Sequence, residues 1–146
     1  MHPASAALFM RIIAAFSILL SVLFALAVAA DPTGLADLFF RYASSGGAGL
    51  AGIATAEAKL STAIAGGIFA GISAVLWLIA APAIEAGDTK AMRGVMLSLL
   101  TWFFVDSGAS ALGGNAANIL PNIAVLLLYI APMLLVRRGK NQARGY

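Results

Sequence analysis

A chain of 146 residues with 62% apolar and 10% charged residues has room for one domain and is too apolar to be covered by water. Its net charge of +3 is concentrated at the end, where Arg137, Arg138, Lys140 and Arg144 follow an apolar run. The absence of cysteine excludes a disulfide, a thiolate metal site and a cysteine nucleophile; the single histidine, His2, lies outside every apolar run, which argues against a haem or chlorophyll-type subunit.

Crossing about 30 Å of hydrocarbon takes about 20 apolar residues in a helix. The chain supplies four such runs, at about 7–30, 60–84, 91–113 and 118–136. They predict an all-α, integral membrane four-helix transmembrane bundle, one domain over 1–146, with a basic tail at 137–146. The first run ends Ala27-Val28-Ala29-Ala30-Asp31, which resembles a signal-peptide cleavage site, but a run of 24 residues is long for a signal core and reads as a retained span. Arg11, near its start, can lift its charge back to the headgroups.

After the first run, Asp31 is a good N-cap and Pro32 a good first helical residue. Residues 32–43 therefore read as a short interfacial helix with Leu35, Leu38 and Phe39 on one side, lying along the membrane surface between spans 1 and 2. Ser44 to Gly52, rich in glycine and serine, reads as a flexible turn, and Thr55 to Lys59 opens the second span with Glu57 near the positive end of its dipole.

In the second span Ala63, Gly67, Gly71 and Ala74 recur at three- or four-residue spacing, with Gly66, Ala70 and Ser73 as a second small stripe beside them. Small residues at this spacing let helices approach closely in lipid, so Ala63, Gly66, Gly67, Gly71 and Ala74 are the expected helix-packing positions. Pro82 should bend or end this helix. A polar turn, 85–90, leads into the third span; Asn118 is the expected cap of the fourth, Pro121 fits its first turn, and Pro132 should perturb its last turns.

Orientation follows from counting cations. Four crossings put both termini on one side, and cytoplasmic termini give Arg11, Lys90, Arg93 and the four tail cations inside against Arg41 and Lys59 outside. The expected location is a bacterial inner (plasma) membrane.

Asp106 is the one carboxylate within a span. It lies 13 residues after Arg93, or about 20 Å along the helix, beyond the midplane toward the outer face. Placing Asp at a helix centre costs about 2.5–3.5 kcal/mol on insertion scales, so such a residue is a functional candidate by default. The plainer alternative pairs it with Lys59 or Arg41 as a lock on the bundle. Trp102, Asp106, Ser110 and Gly113 share one helix face that can meet the small-residue face of span 2. Ser107, Ser110, Asn115, Asn118 and Asn122 are candidates to line a polar pocket beside Asp106, or else to satisfy backbone groups at a tight turn. Trp77, Trp102 and Tyr129 read as core or interface filler.

No metal-ligand spacing, phosphate loop, nucleophile elbow or nucleic-acid motif occurs. No catalytic, cofactor-binding or metal-binding residue is therefore assigned, and neither an enzyme nor a nucleic-acid partner is expected. The segments Glu57-Ala58-Lys59-Leu60, Ala63 to Gly67, Trp102-Phe103-Phe104-Val105-Asp106-Ser107-Gly108 and Asn118 to Asn122 resemble a family of uncharacterised four-helix bacterial inner-membrane proteins, a resemblance that extends over about residues 25–135. It implies the four-span fold and brings no assigned chemistry.

Two functions fit this sequence. One is a non-catalytic accessory or structural subunit of a larger membrane complex, for instance a photosynthetic or respiratory one, packed among other integral membrane subunits and lipids. The other is a small proton- or cation-coupled transporter or channel using Asp106. A bound lipid, carotenoid or quinone is compatible with either.

Overall fold

A computed structural model describes the backbone of residues 1–143 and the side chains of residues 1–136. The side chains of the tail cations Arg137, Arg138 and Lys140, and all of Arg144, lie outside the described residues. Every regular element among those described is helical, and four rods are long and apolar enough to cross a membrane: Pro3–Leu26, Ala56–Ala86, Thr89–Leu112 and Ala116–Val136.

Helix α1 (Pro3–Leu26) starts four residues earlier than its apolar run, because Pro3 suits a first turn and His2 Nδ1 accepts from the Ala4 amide at 3.3 Å. Helix α2 (Leu35–Ala43) follows. It begins three residues later than expected and is preceded by Gly34 at φ 72°; Asp31, the expected cap, instead reaches six residues forward to accept from the Asp37 amide at 2.9 Å.

The second rod is α3 (Ala56–Val75), a widened π turn over Leu76–Ala80 and α4 (Ala81–Ala86). Thr55 caps α3 by accepting from the Ala58 amide at 3.2 Å. Pro82 neither ends nor breaks the rod. The wider turn just before it, in which the Ala81 amide bonds back to the Leu76 carbonyl, accommodates a ring that lacks an N–H. Gly87 (φ 70°) closes the rod, and Asp88 caps α5 (Thr89–Leu112), accepting from the amides of Lys90 and Ala91 at 2.9 and 3.0 Å. Helix α6 (Ile119–Ala143) runs through Pro132 without interruption.

The N-terminus and the far part of α6 share one end of the bundle, where the Met1 amine donates to the Leu135 carbonyl at 3.5 Å. Here all four rods close on one another. Met10, Ile84, Met92 and Met133 are at most 1% exposed, and Leu99 and Val136 pack with them. Arg11, expected to reach for headgroups, pairs with Glu85 at 2.8 Å and ties α1 to α4 on the rim of this end.

Toward the α2 end the rods pair off. Helix α1 stays against α3, and α5 stays against α6. Gly66 sets the first contact: a Cβ there would sit 2.8 Å from both the Ala25 Cβ and the Ser21 carbonyl oxygen. Thr62 and Ser73, on the same face, are also buried. The packed stripe is thus Thr62, Gly66 and Ser73. Gly67 and Gly71, expected to pack, are exposed with open space beside them, while Ala63 and Ala74 are half-buried. Two neighbouring small stripes compete for α1, and the one containing Gly66 occupies the contact.

Candidate functional site

Where the two helix pairs separate, they enclose a cavity of about 570 Å³. Five helices contribute to its wall. Ser17, Leu20, Ser21 and Phe24 come from one face of α1, and Ser61, Thr62, Ala65, Gly66 and Phe69 from one face of α3. Along α6 the lining residues Asn118, Asn122, Val125 and Tyr129 repeat every three or four residues, so the cavity follows that helix for about 16 Å. Helix α2 contributes Phe39 and Phe40, which meet Phe24 edge-on and tilted, with ring centroids 5.0 and 5.9 Å away.

Asp106 projects from α5 into this space and is only partly buried. Its Oδ2 accepts from the side-chain amides of Asn122 and of Asn118, the latter at 3.4 Å. The same two amides continue to α5 hydroxyls, Asn118 to Ser110 Oγ at 2.9 Å and Asn122 to Ser107 Oγ at 3.2 Å. Residues 106, 107 and 110 share one face of α5, and 118 and 122 share one face of α6, so an antiparallel pair zips them together. Asn118 therefore spans the two helices, and no side chain caps α6. Its expected capping role is replaced by a polar link between helices.

Neither Arg41 nor Lys59 reaches Asp106. Arg41 pairs with Asp37 one turn away on α2, at 2.7 Å, and Lys59 is exposed. Asn115 lines the cavity without reaching Asp106: its Oδ1 accepts from the Ser45 amide at 3.0 Å and joins the segment after α2 to the α5–α6 turn. Trp102 backs the cavity edge-on against Phe69, with centroids 5.2 Å apart. Tyr129, 2% exposed, forms its inner end, and Trp77 faces outward.

The segment from 44 to 52, expected to be flexible, is organised by Asp37. Its Oδ1 accepts from the Leu50 amide at 2.8 Å, and Gly49 (φ 59°) leaves room for that carboxylate where a Cβ would collide with it. The Leu50 amide and then Arg41 hold the Asp37 carboxyl below its ordinary range, and the Asp37 amide does the same for Asp31. Sequence patterns give no cue to this clamp, because a contact between residues 13 apart, across a helix end and a loop, has no period.

The fold and site define an all-helical chain of four long apolar rods with an internal cavity and a single carboxylate on its wall. No family model, curated relative or solved structure matches the chain.

Proposed function

We propose that the four rods span a bacterial inner membrane with both termini cytoplasmic and α2 along the opposite surface. In this reading the chain is a small non-enzymatic binding or carrier protein that takes an amphipathic molecule into its cavity, polar group at Asp106. The cation distribution supports the orientation, and the shared end of the two termini is consistent with an even number of crossings.

One observation carries the functional reading: the helices part at the depth of Asp106 and close tightly at the other end. A residue serving only to lock the bundle would have its carboxylate closed over by partners. Instead Asp106 Oδ2 is held by two amides, and Oδ1 accepts no hydrogen bond among the described residues. The groups nearby are amides and hydroxyls, with no base or nucleophile set beside them, which favours binding over chemistry.

Ala65→Trp would fill the cavity from the α3 wall and provides the test. Small molecules copurifying with the chain from its native membrane are identified by mass spectrometry. The expected result is a near-stoichiometric amphiphile in the unaltered protein that is lost in Ala65→Trp. The same complement in both would sink this reading.

A second reading, the accessory subunit of a larger membrane complex, is favoured by Gly67 and Gly71. They leave a smooth strip on the exposed side of α3, where another subunit's helix could approach closely. Migration with a large assembly on native gels, abolished by Gly67→Leu, is its expected signature.

A further inference from the structure

We infer that the cavity's ligand is an organic cation: a protonated amine on a compact apolar or aromatic body, held with its ammonium against Asp106. This rests on the binding reading above and narrows it to one ligand class.

At the junction around Asp106, the amides and the carboxylate are left with acceptors. An Asn side chain has two N–H donors, and both are engaged at Asn118 (Asp106, Ser110) and at Asn122 (Asp106, Ser107). Their carbonyl oxygens and Asp106 Oδ1 accept nothing from the described residues. Of the wall hydroxyls, Ser21 donates to the Ser17 carbonyl at 2.6 Å, Ser44 to Phe40 at 2.6 Å and Thr62 to Ala58 at 2.8 Å, while Ser17, Ser61 and Ser110 donate to nothing among the described residues and can accept as well as donate. No lysine, arginine or histidine lines the cavity, so its one ionisable wall charge belongs to a carboxylate. A ligand carboxylate or phosphate would meet Asp106 with no compensating cation. A group with several N–H donors and positive charge matches the open carboxylate and amide oxygens, and the free hydroxyls can serve it as further acceptors.

The rest of the wall selects the body. Phe24, Phe39 and Phe40 ring the α2 end, and Phe69, Val125 and Tyr129 line the inner part. Aromatic faces attract a cation passing over them and pack against an apolar body. A bare metal cation would satisfy the acceptors and leave these walls unfilled. A cavity of about 570 Å³ takes one small organic molecule.

The test uses the full chain in nanodiscs of zwitterionic lipid, with empty discs as blank. Three fluorescent probes share one body: 2-naphthylmethylamine, 2-naphthalenemethanol and 2-naphthoate. Octylamine, octanol and octanoate repeat the comparison by thermal shift. Amines are expected to bind at least about tenfold tighter than alcohols, the gain of one charge-assisted hydrogen bond, with the carboxylates weakest. Asp106→Asn should remove that preference. The ranking on the unaltered chain needs no variant and stands even if Asp106→Asn fails to fold. Alcohols equal to amines, or carboxylates tightest, would overturn the cation assignment and leave the cavity reading intact. No probe binding more tightly to the unaltered chain than to Ala65→Trp would overturn both.

Discussion

The side-chain amide of Asn122 bridges Asp106 Oδ2 and Ser107 Oγ, so a single residue of α6 holds two positions of α5. Asn122 is 5% exposed, and it is the most buried polar side chain at this junction. The helices here lack the apolar packing of the closed end, so polar links fix their register.

A double-mutant cycle measures that link. Asp106→Ala and Asn122→Ala should each lower thermal stability in detergent, and their combination should cost less than the sum. The expected coupling is about 0.6–1.7 kcal/mol, the range for hydrogen bonds between membrane helices. Additive effects would mean that the amide and the carboxylate do not act together in the folded chain.

Gly66 makes a sharper prediction. Its missing Cβ is what lets α1 and α3 approach, since the Ala25 Cβ and the Ser21 carbonyl lie 2.8 Å from where it would stand. Both obstacles belong to one rigid helix and cannot swing aside. Gly66→Ala should therefore destabilise the isolated chain by about 1–3 kcal/mol. Gly67→Ala and Gly71→Ala should be close to neutral in the same assay, because nothing lies within 4 Å of either position. A loss of stability at Gly67 in native membranes but not in purified protein would point to a neighbouring subunit.

These residues also mark how much could be read without coordinates. The four rods follow from runs of apolar residues long enough to need no partner for their prediction, with ends displaced by a few residues where His2, Thr55 and Asp88 set the boundaries. The polar neighbours of Asp106 were legible as shared helix faces, since 106 and 110 and likewise 118 and 122 are one turn apart. Periodicity could not decide between the stripe of Gly66 and that of Gly67, because both are small and adjacent, and only the position of α1 separates them. The cavity was invisible for a related reason: Phe69, Val125 and Tyr129 are apolar whether they touch another helix, lipid or a ligand.

Acid should loosen α2 and the segment after it before it affects the rods. Asp37 is held below the ordinary aspartate range by the Leu50 amide and by Arg41, and Asp31 by the Asp37 amide. A carboxyl lowered in the folded state stabilises it at any pH above the unfolded value, about 3.9, and this contribution is lost as pH falls through the lower folded value. Amide exchange across 35–53 should thus be unchanged from pH 7 to about 5, once intrinsic rates are corrected, and should rise below about pH 4. Asp37→Asn should raise it already at pH 7. Protection that persists at pH 2 would mean that these carboxylates do not hold the segment.

The Ser45 amide and Asn115 Oδ1, 3.0 Å apart, form the one hydrogen bond joining the chain after α2 to the α5–α6 turn among the described residues. Both residues lie at the surface, so water competes for the bond and its net worth is about 0.5–1.5 kcal/mol. Asn115→Ala should therefore raise exchange of the Ser45 amide by up to about tenfold, with smaller effects at Asp37 and Leu50, which their own carboxylate contact still holds. Asn115→Asp keeps an acceptor oxygen at the same place and should retain the protection. Because α2 contributes Phe39 and Phe40 to the cavity wall, the alanine variant should also release a bound probe several-fold faster while leaving the Asp106 contacts in place. Stopped-flow displacement of 2-naphthylmethylamine measures that rate, and equal rates in the two variants would show that α2 does not limit access.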